Sequence, residues 1–239
     1  RFRLVEVDRS PLDSLLTAPL YVDERVVNHV RGMDHLDGRL RAAVVPEPSV
    51  DIDELPDSQR VAADHVAAAW VGGNDSPYAQ DHVGLTLPLV ADPPVAELVG
   101  ASPATSVLLA AVVAGTFGLR LYRMPAARLP DDDARLDDLA RLWRREAGLS
   151  PVALLIEDAD DQPEAVAFAH RCGCACFLQL TQPPVVSSPG AVRVDALPPT
   201  TSERRAAWAE NLPAEALADA GQLAAQFALD TASIARIAR

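Results

Sequence analysis

The chain has 239 residues, 49% of them hydrophobic, enough to bury a sizeable core in one large domain or in a core with small satellites. Its formal net charge is −13, and all 21 of its basic residues are arginine. That balance argues against a nucleic-acid partner, which wants a basic face, and against docking on an anionic membrane. The acidity reads as a well-solvated surface, and the lysine-free, arginine- and alanine-rich composition as the coding bias of a GC-rich genome.

In chain order, Phe2 to Val7 is expected as a strand or strand-like lead-in, and Pro11 to Leu16 as a turn or helix start. Arg1 to Val7 alternates charged and apolar residues, unlike a signal peptide, and the chain is expected to be a piece of something longer. Asp23 opens an acidic first turn, and Val26, Val27 and Val30 carry helical spacing up to Gly32. Asp34 to Val45 reads as another helix, with Leu36, Leu40 and Val44 four apart. The Pro- and Asp-rich stretch Pro46 to Pro56 reads as a linker. Asp57 to Trp70 is a predicted helix ended by Gly72-Gly73, followed by loop and a predicted strand, His82 to Val90.

Val95 to Val99 reads as a short buried strand broken by Gly100, and from Thr105 the pattern becomes helical, with Gly115 and Gly118 ending it. Leu119 to Met124 alternates as a strand. Asp131 to Arg145 reads as a helix, acidic at its start and with Arg141, Arg144 and Arg145 toward its end, as the helix dipole favours. Pro151 to Ile156 is a continuous apolar strand, Pro163 to Arg171 a short helix, Cys174 to Thr181 a strand, Pro183 to Gly190 a loop and Val192 to Leu197 a last strand. Thr200 to Asn211 is a helix with Ser202 or Thr201 as cap, and Ala214 to Arg239 is helical in two pieces. Strands alternating with helices imply a parallel sheet covered on both faces. The longest apolar stretch, Val107 to Phe117, is too short to span a bilayer.

Strand, tight loop and helix around Gly100 is the frame of a phosphate-binding loop, G-x-x-x-x-G-K-[ST]. Gly100 holds the first glycine, but Thr105 stands at the second, Ser106 at the lysine and Val107 at the Mg²⁺-binding hydroxyl. A chain without lysine has no alignment that restores the cation. One unit charge about 4 Å from a phosphate is worth roughly 4 kcal/mol at an effective dielectric near 20. Val107 offers no oxygen to a metal, and Thr105 brings a β-branched side chain where glycine lets backbone approach phosphate. The frame is that of a phosphate loop that has lost its chemistry.

The order of elements resembles the ATPase domain of AAA proteins, a five-stranded parallel core with a small helical lid after the last strand. LLIEDAD, Leu154 to Asp160, is similar to the family's Walker B box. The resemblance puts Glu157 at the Mg²⁺-binding position and Asp158 at the water-activating one, the reverse of the usual Asp-Glu. The inversion moves each carboxylate by about one methylene, enough to spoil an octahedral Mg²⁺ shell. Thr181, ending CFLQLT, matches the polar residue known as sensor 1. Arg193 to Trp208 (RVDALPPTTSERRAAW) resembles the last core strand, its Leu-Pro exit and the Glu-Arg helix after it. Phe227 to Ala238 resembles the lid, with Arg236 near the sensor 2 position. Pro183 to Val192 carries no arginine finger, and Arg193 is the nearest candidate.

The implied fold is a P-loop/AAA-like α/β core over residues 81–200, with a helical region over 1–80 and a helical lid over 201–239. More loosely, the chain resembles the degenerate first ATPase domain of long AAA proteins encoded with phage-tail-like contractile injection systems, where an intact second domain follows. The resemblance implies no cofactor or weakly held Mg·ATP. As partners it implies other proteins, a second ATPase domain in a longer chain, or further copies of this one.

Two other chemistries match parts of the sequence. Gly100-Ala101-Ser102-Pro103-Ala104 approximates the G-x-S-x-G elbow of α/β-hydrolases, but His170 is the only histidine after Ser102, and that fold needs more sheet upstream, where the sequence reads mostly as helix. Cys172, Cys174 and Cys176, with His170 nearby, invite a metal. Extended residues at i and i+2 lie about 6.6 Å apart, whereas zinc needs four ligands about 2.0–2.3 Å from one point. Only a sharp turn at Gly173 would rescue such a site, and buried structural thiols are expected instead. Unpaired cysteines fit a reducing cytoplasm.

Overall fold

The computed structural model describes residues 5–7, 20–33, 35–52, 55–72, 89, 91–184 and 189–238. Two short strands, β1 (Val5–Val7) and β2 (Leu20–Val22), pair antiparallel as a ribbon of their own. Helix α1 (Glu24–Val30) starts where the Asp23 carboxylate accepts the Arg25 N–H, and α2 (Gly38–Arg41) where Asp37 accepts the Arg39 N–H. The helix expected from residue 34 to residue 45 is therefore a single turn. Asp37 starts it late, and the chain leaves it early so that β3 (Val45–Pro46) can pair with a sheet edge. Helix α3 (Asp57–Val71) ends at Gly72, whose φ of 105° gives the left-handed C-cap. The strand expected over residues 82–90 and the turn over 11–16 lie outside the described residues, residue 89 apart.

From there the chain alternates. Strand β4 (Ala96–Val99) leads to α4 (Pro103–Thr116), β5 (Arg120–Pro125) to α5 (Asp133–Leu149) and β6 (Val152–Glu157) to α6 (Pro163–Cys172). Strands β7 (Cys176–Leu180) and β8 (Val192–Asp195) follow. The protein is α/β, with a mixed six-stranded sheet in the order β3-β5-β6-β7-β4-β8. The last five are mutually parallel and β3 runs antiparallel against β5.

Alternate residues of β4, β5, β6 and β7 feed two cores. On one face Leu98, Leu155 and Phe177 pack under α4, and α3 lies beside it against the sheet, with Trp70 against Phe117 and Phe177 at ring separations of 5.5 and 4.8 Å. Covered by the sheet and by α3 alongside, α4 is apolar nearly all round. On the other face Val99, Met124, Ile156 and Leu178 pack under α5 and α6 with Trp143 and Phe168.

Arg145 faces inward from the middle of α5, which runs one turn further than its arginines suggest. It pairs with Asp23 at 2.9 Å and with Asp37, while Arg25 Nε donates to both oxygens of Glu146 at 2.9 and 3.1 Å. These buried ion pairs fasten α1 and α2 to α5. Burial raises the Asp23 and Asp37 carboxyls, but hydrogen bonds from Arg39 outweigh it and hold both below their usual range.

After β8, helix α7 (Thr201–Asn211), a 3₁₀ turn (Ala214–Asp219), α8 (Ala220–Gln226) and α9 (Thr231–Ile237) form a small unit around Trp208, Ala224 and Ile234. Among the described residues, no helix is long and apolar enough to cross a membrane.

Candidate functional site

Parallel strands bring their carboxyl ends to one edge. Here Val99, Glu157, Leu180 and Asp195 end side by side, and β4 sits between β7 and β8. The connection from β4 enters α4 on one face, whereas that from β6 enters α6 on the other. A crevice at the carboxyl edge where connections diverge is where open α/β sheets hold ligands.

The connection from β4 to α4 is three residues long, Gly100 to Ser102. Gly100 N–H donates to Leu180 O at 2.8 Å, and Ala196 N–H donates to Val99 O at 2.7 Å. A Cβ on Gly100 would fall 2.2 Å from Ala196 O, so the glycine is demanded by the exit of β8. The helix expected from Thr105 begins at Pro103. Ser102 is its N-cap, its Oγ accepting the Thr105 N–H at 3.4 Å, and Pro103 occupies the first turn. That Ser-Pro pair is a helix-start signal in the sequence, and it places Thr105, Ser106 and Val107 inside the helix.

An anion needs free amides at such a terminus. Pro103 has none, the Thr105 amide goes to Ser102 Oγ, and the Ser106 amide to Ser102 O. Thr105 and Ser106 are fully buried with hydroxyls that meet no partner among the described residues, and Val107 packs half-buried against the core. The terminus thus offers a triphosphate no amide from Pro103 and none free from Thr105 or Ser106. At Ser102, the nucleophile position of the hydrolase reading, the backbone is ordinary extended (φ −108°), and the hydroxyl caps α4.

At the end of β6, Glu157 meets Arg123 Nη1 at 3.2 Å, and Arg123 Nε stands 2.9 Å from Glu47. An arginine bridging two carboxylates occupies Glu157, so the Mg²⁺ role assigned to it by resemblance has a competing cation in place. Asp158 is exposed, in a left-handed conformation (φ 54°), and its N–H donates to Gln179 Oε1 at 3.4 Å. Thr181 is exposed, and its N–H donates to the Asp160 carboxylate at 2.9 and 3.0 Å, as Gln182 N–H does at 3.3 Å.

The ends of β6 and β7 are thus brought together, but by Asp160 and Gln179 rather than by the side chains of Glu157, Asp158 and Thr181. Gln179 is buried, with its Nε2 unpartnered among the described residues. A lone amide in the apolar run CFLQL was the sequence signal for it. Arg193 Nε donates to buried Glu97 Oε2 at 3.0 Å, which pins β8 to β4. Arg236 is exposed on α9.

The exit of β8 is tied differently. Thr200 and Glu203 form a reciprocal capping box on α7, and Glu203 also accepts Ser58 N–H and Ser58 Oγ–H, each at 2.8 Å, at the start of α3. Gln59 Nε2 donates to Leu197 O at 2.9 Å, and Arg204 donates to Pro199 O and Ala224 O. Partial burial raises the Glu203 carboxyl, but donors from Ser58 and Thr200 prevail and bring it to about 2. Thr200, rather than Thr201 or Ser202, is the cap.

The three cysteines converge. Gly173 turns left-handed at φ 53°, supplying the sharp turn that an extended reading lacked, and all three Sγ atoms lie within 4.8 Å of one another. Hydrogen bonds from Cys172 and Cys176 hold the Cys174 thiol well below its usual range, while burial pushes Cys172 up. No protein-family model matches the chain, and no curated protein matches it either.

Proposed function

We propose that this chain is a catalytically degenerate AAA-like ATPase domain that serves as an assembly or interaction module beside an active ATPase domain, in a longer chain or a complex. The observation that carries the reading is the Gly100–Ser102 connection. It stands at the carboxyl edge of a central parallel strand, where a phosphate loop belongs, yet it is three residues long, closed by Pro103 and packed against Ala196. Support also comes from the arginine already held by Glu157 and from the small helical unit that follows β8. A reducing cytosol is the compartment that suits three free cysteines.

Calorimetric titration with Mg·ATP tests the reading: no heat of binding is expected below about 1 mM, and micromolar affinity, roughly −8 kcal/mol, would overturn it. A second reading, a weakly active ATPase with an unconventional loop, draws on the unpartnered hydroxyls of Thr105 and Ser106. Phosphate release that disappears in Glu157→Ala would favour that one.

A further inference from the structure

Three sulfur atoms meet at the edge of the sheet opposite the candidate site. Cys172 ends α6, Gly173 reverses the chain, Cys174 follows, and Cys176 opens β7. Strand β7 spans about 16 Å at roughly 3.3 Å per residue, so the cluster is separate from Thr181 at the strand's other end. Cys174 and Cys176 Sγ are 3.9 Å apart, and the whole set lies within 4.8 Å. Cys172 and Cys176 are buried and Cys174 is half-buried.

Packing alone does not ask for this arrangement. A buried thiol acts as a small apolar group and packs as well against aliphatic carbon as against another sulfur. The turn that creates the convergence is also crowded by charge. A Cβ on Gly173 would lie 2.9 Å from Arg144 Nη2 and 3.2 Å from Asp92 Oδ1, so a guanidinium stands directly over the segment joining the thiols. Arg144 is itself 3.5 Å from Asp92.

We propose that Cys172, Cys174 and Cys176 form a binding site for one soft, thiophilic cation, Cu(I), held by three thiolates. Thiolate ligands select Cu(I) and Zn(II) over the hard cations. Structural zinc takes four protein ligands in a tetrahedron, and among the described residues these three ligand atoms are the whole convergent set. Cu(I), a d¹⁰ monocation, is satisfied by three sulfurs in a plane. An equilateral triangle with edges between 3.9 and 4.8 Å has its centre about 2.3–2.8 Å from each corner, so the ion enters with a small inward movement of sulfur. Binding replaces three S–H bonds by three Cu–S bonds and releases three protons to solvent, with no change of oxidation state. The resulting complex carries two negative charges, and Arg144 beside it supplies a compensating positive one.

The test is anaerobic titration of the reduced full chain with Cu(I) against bathocuproine disulfonate as competing chelator. One copper per chain is expected to leave the chelator, with a near-ultraviolet thiolate-to-copper band and three sulfur neighbours by X-ray absorption. Cys174→Ser is expected to weaken binding by roughly 100-fold or more, and Arg144→Met by about 10-fold. Failure of the wild-type chain to take copper from the chelator would overturn the proposal. Equal affinity in Cys174→Ser would do the same. So would preferential Zn(II) binding, with Co(II) giving the spectrum of a four-coordinate site. Should Cys174→Ser fail to fold, the count of sulfur neighbours in the wild-type complex decides.

Discussion

Two strand-to-helix connections leave the same edge of the sheet from adjacent strands, β4 into α4 and β8 into α7, and they use their polar groups in opposite ways. The first has one cap at 3.4 Å, a proline in its first turn, and two buried hydroxyls, on Thr105 and Ser106, that meet nothing among the described residues. The second has a reciprocal capping box whose Glu203 reaches across to Ser58, with Gln59 and Arg204 holding the carbonyls of Leu197 and Pro199. The connection that would do chemistry in a phosphate-loop enzyme leaves the Thr105 and Ser106 hydroxyls unengaged among the described residues. The one that fixes the helical unit to the sheet has its donors and acceptors engaged. The contrast puts the polar effort of this chain into holding parts together, the property an assembly module needs.

The largest expected effect is at the point where the two connections touch. Gly100→Ala places a methyl 2.2 Å from Ala196 O, against backbone that has no rotamer to give. A loss of about 3 kcal/mol is expected in urea unfolding; a loss under about 1 kcal/mol would mean that the glycine is not there for the close approach.

Glu203→Gln comes next. It keeps the shape and removes the charge that draws the donors of Ser58 and Thr200, and a loss of about 1–2 kcal/mol is expected. Its acid response sharpens the comparison. The folded carboxyl titrates at about 2, below the ordinary 4.5. Its stabilisation is therefore fully present above pH 4.5 and is lost as pH falls through 2. Between those values the wild-type chain is expected to lose stability more steeply than Glu203→Gln, and parallel pH curves would remove Glu203 from the account.

Ser102→Ala, which removes the single cap on α4, is expected to cost about 0.5–1 kcal/mol by thermal melting. The smallest effect is expected from Thr105→Val. A buried hydroxyl with no partner contributes nothing to folding, so its replacement by a methyl of similar shape is expected to leave stability unchanged or slightly raised. A loss above about 1 kcal/mol would show that the hydroxyl is engaged.

Most of the parallel core was legible, because continuous apolar runs such as Ala153 to Ile156 have one comfortable place in an α/β protein, a strand covered on both faces. The order of those strands was not, since nothing local in a strand records its neighbours. The start of α4 was written in Ser102-Pro103 but is masked when the same residues are laid on a phosphate-loop frame. The inward turn of Arg145 and its pairing with Asp23 and Asp37 is a long-range fact that the spacing of arginines along α5 could not carry. Glu157 was found at the strand end where the apolar run stops, yet its partner Arg123 lies on a neighbouring strand, 34 residues earlier. The convergence of the cysteines hangs on one residue: period-two geometry assumes extended backbone, and Gly173 is left-handed.

Thermal unfolding in the presence of Mg·ATP tests the central claim most directly, since a ligand that binds only the folded chain at about 100 times its dissociation constant adds about 2.7 kcal/mol. For a chain of this size that is a rise of about 5 °C or more in Tm. The account predicts no rise at about 1 mM Mg·ATP. A rise of that size, abolished by Glu157→Ala, would mean that the connection after β4 holds nucleotide after all.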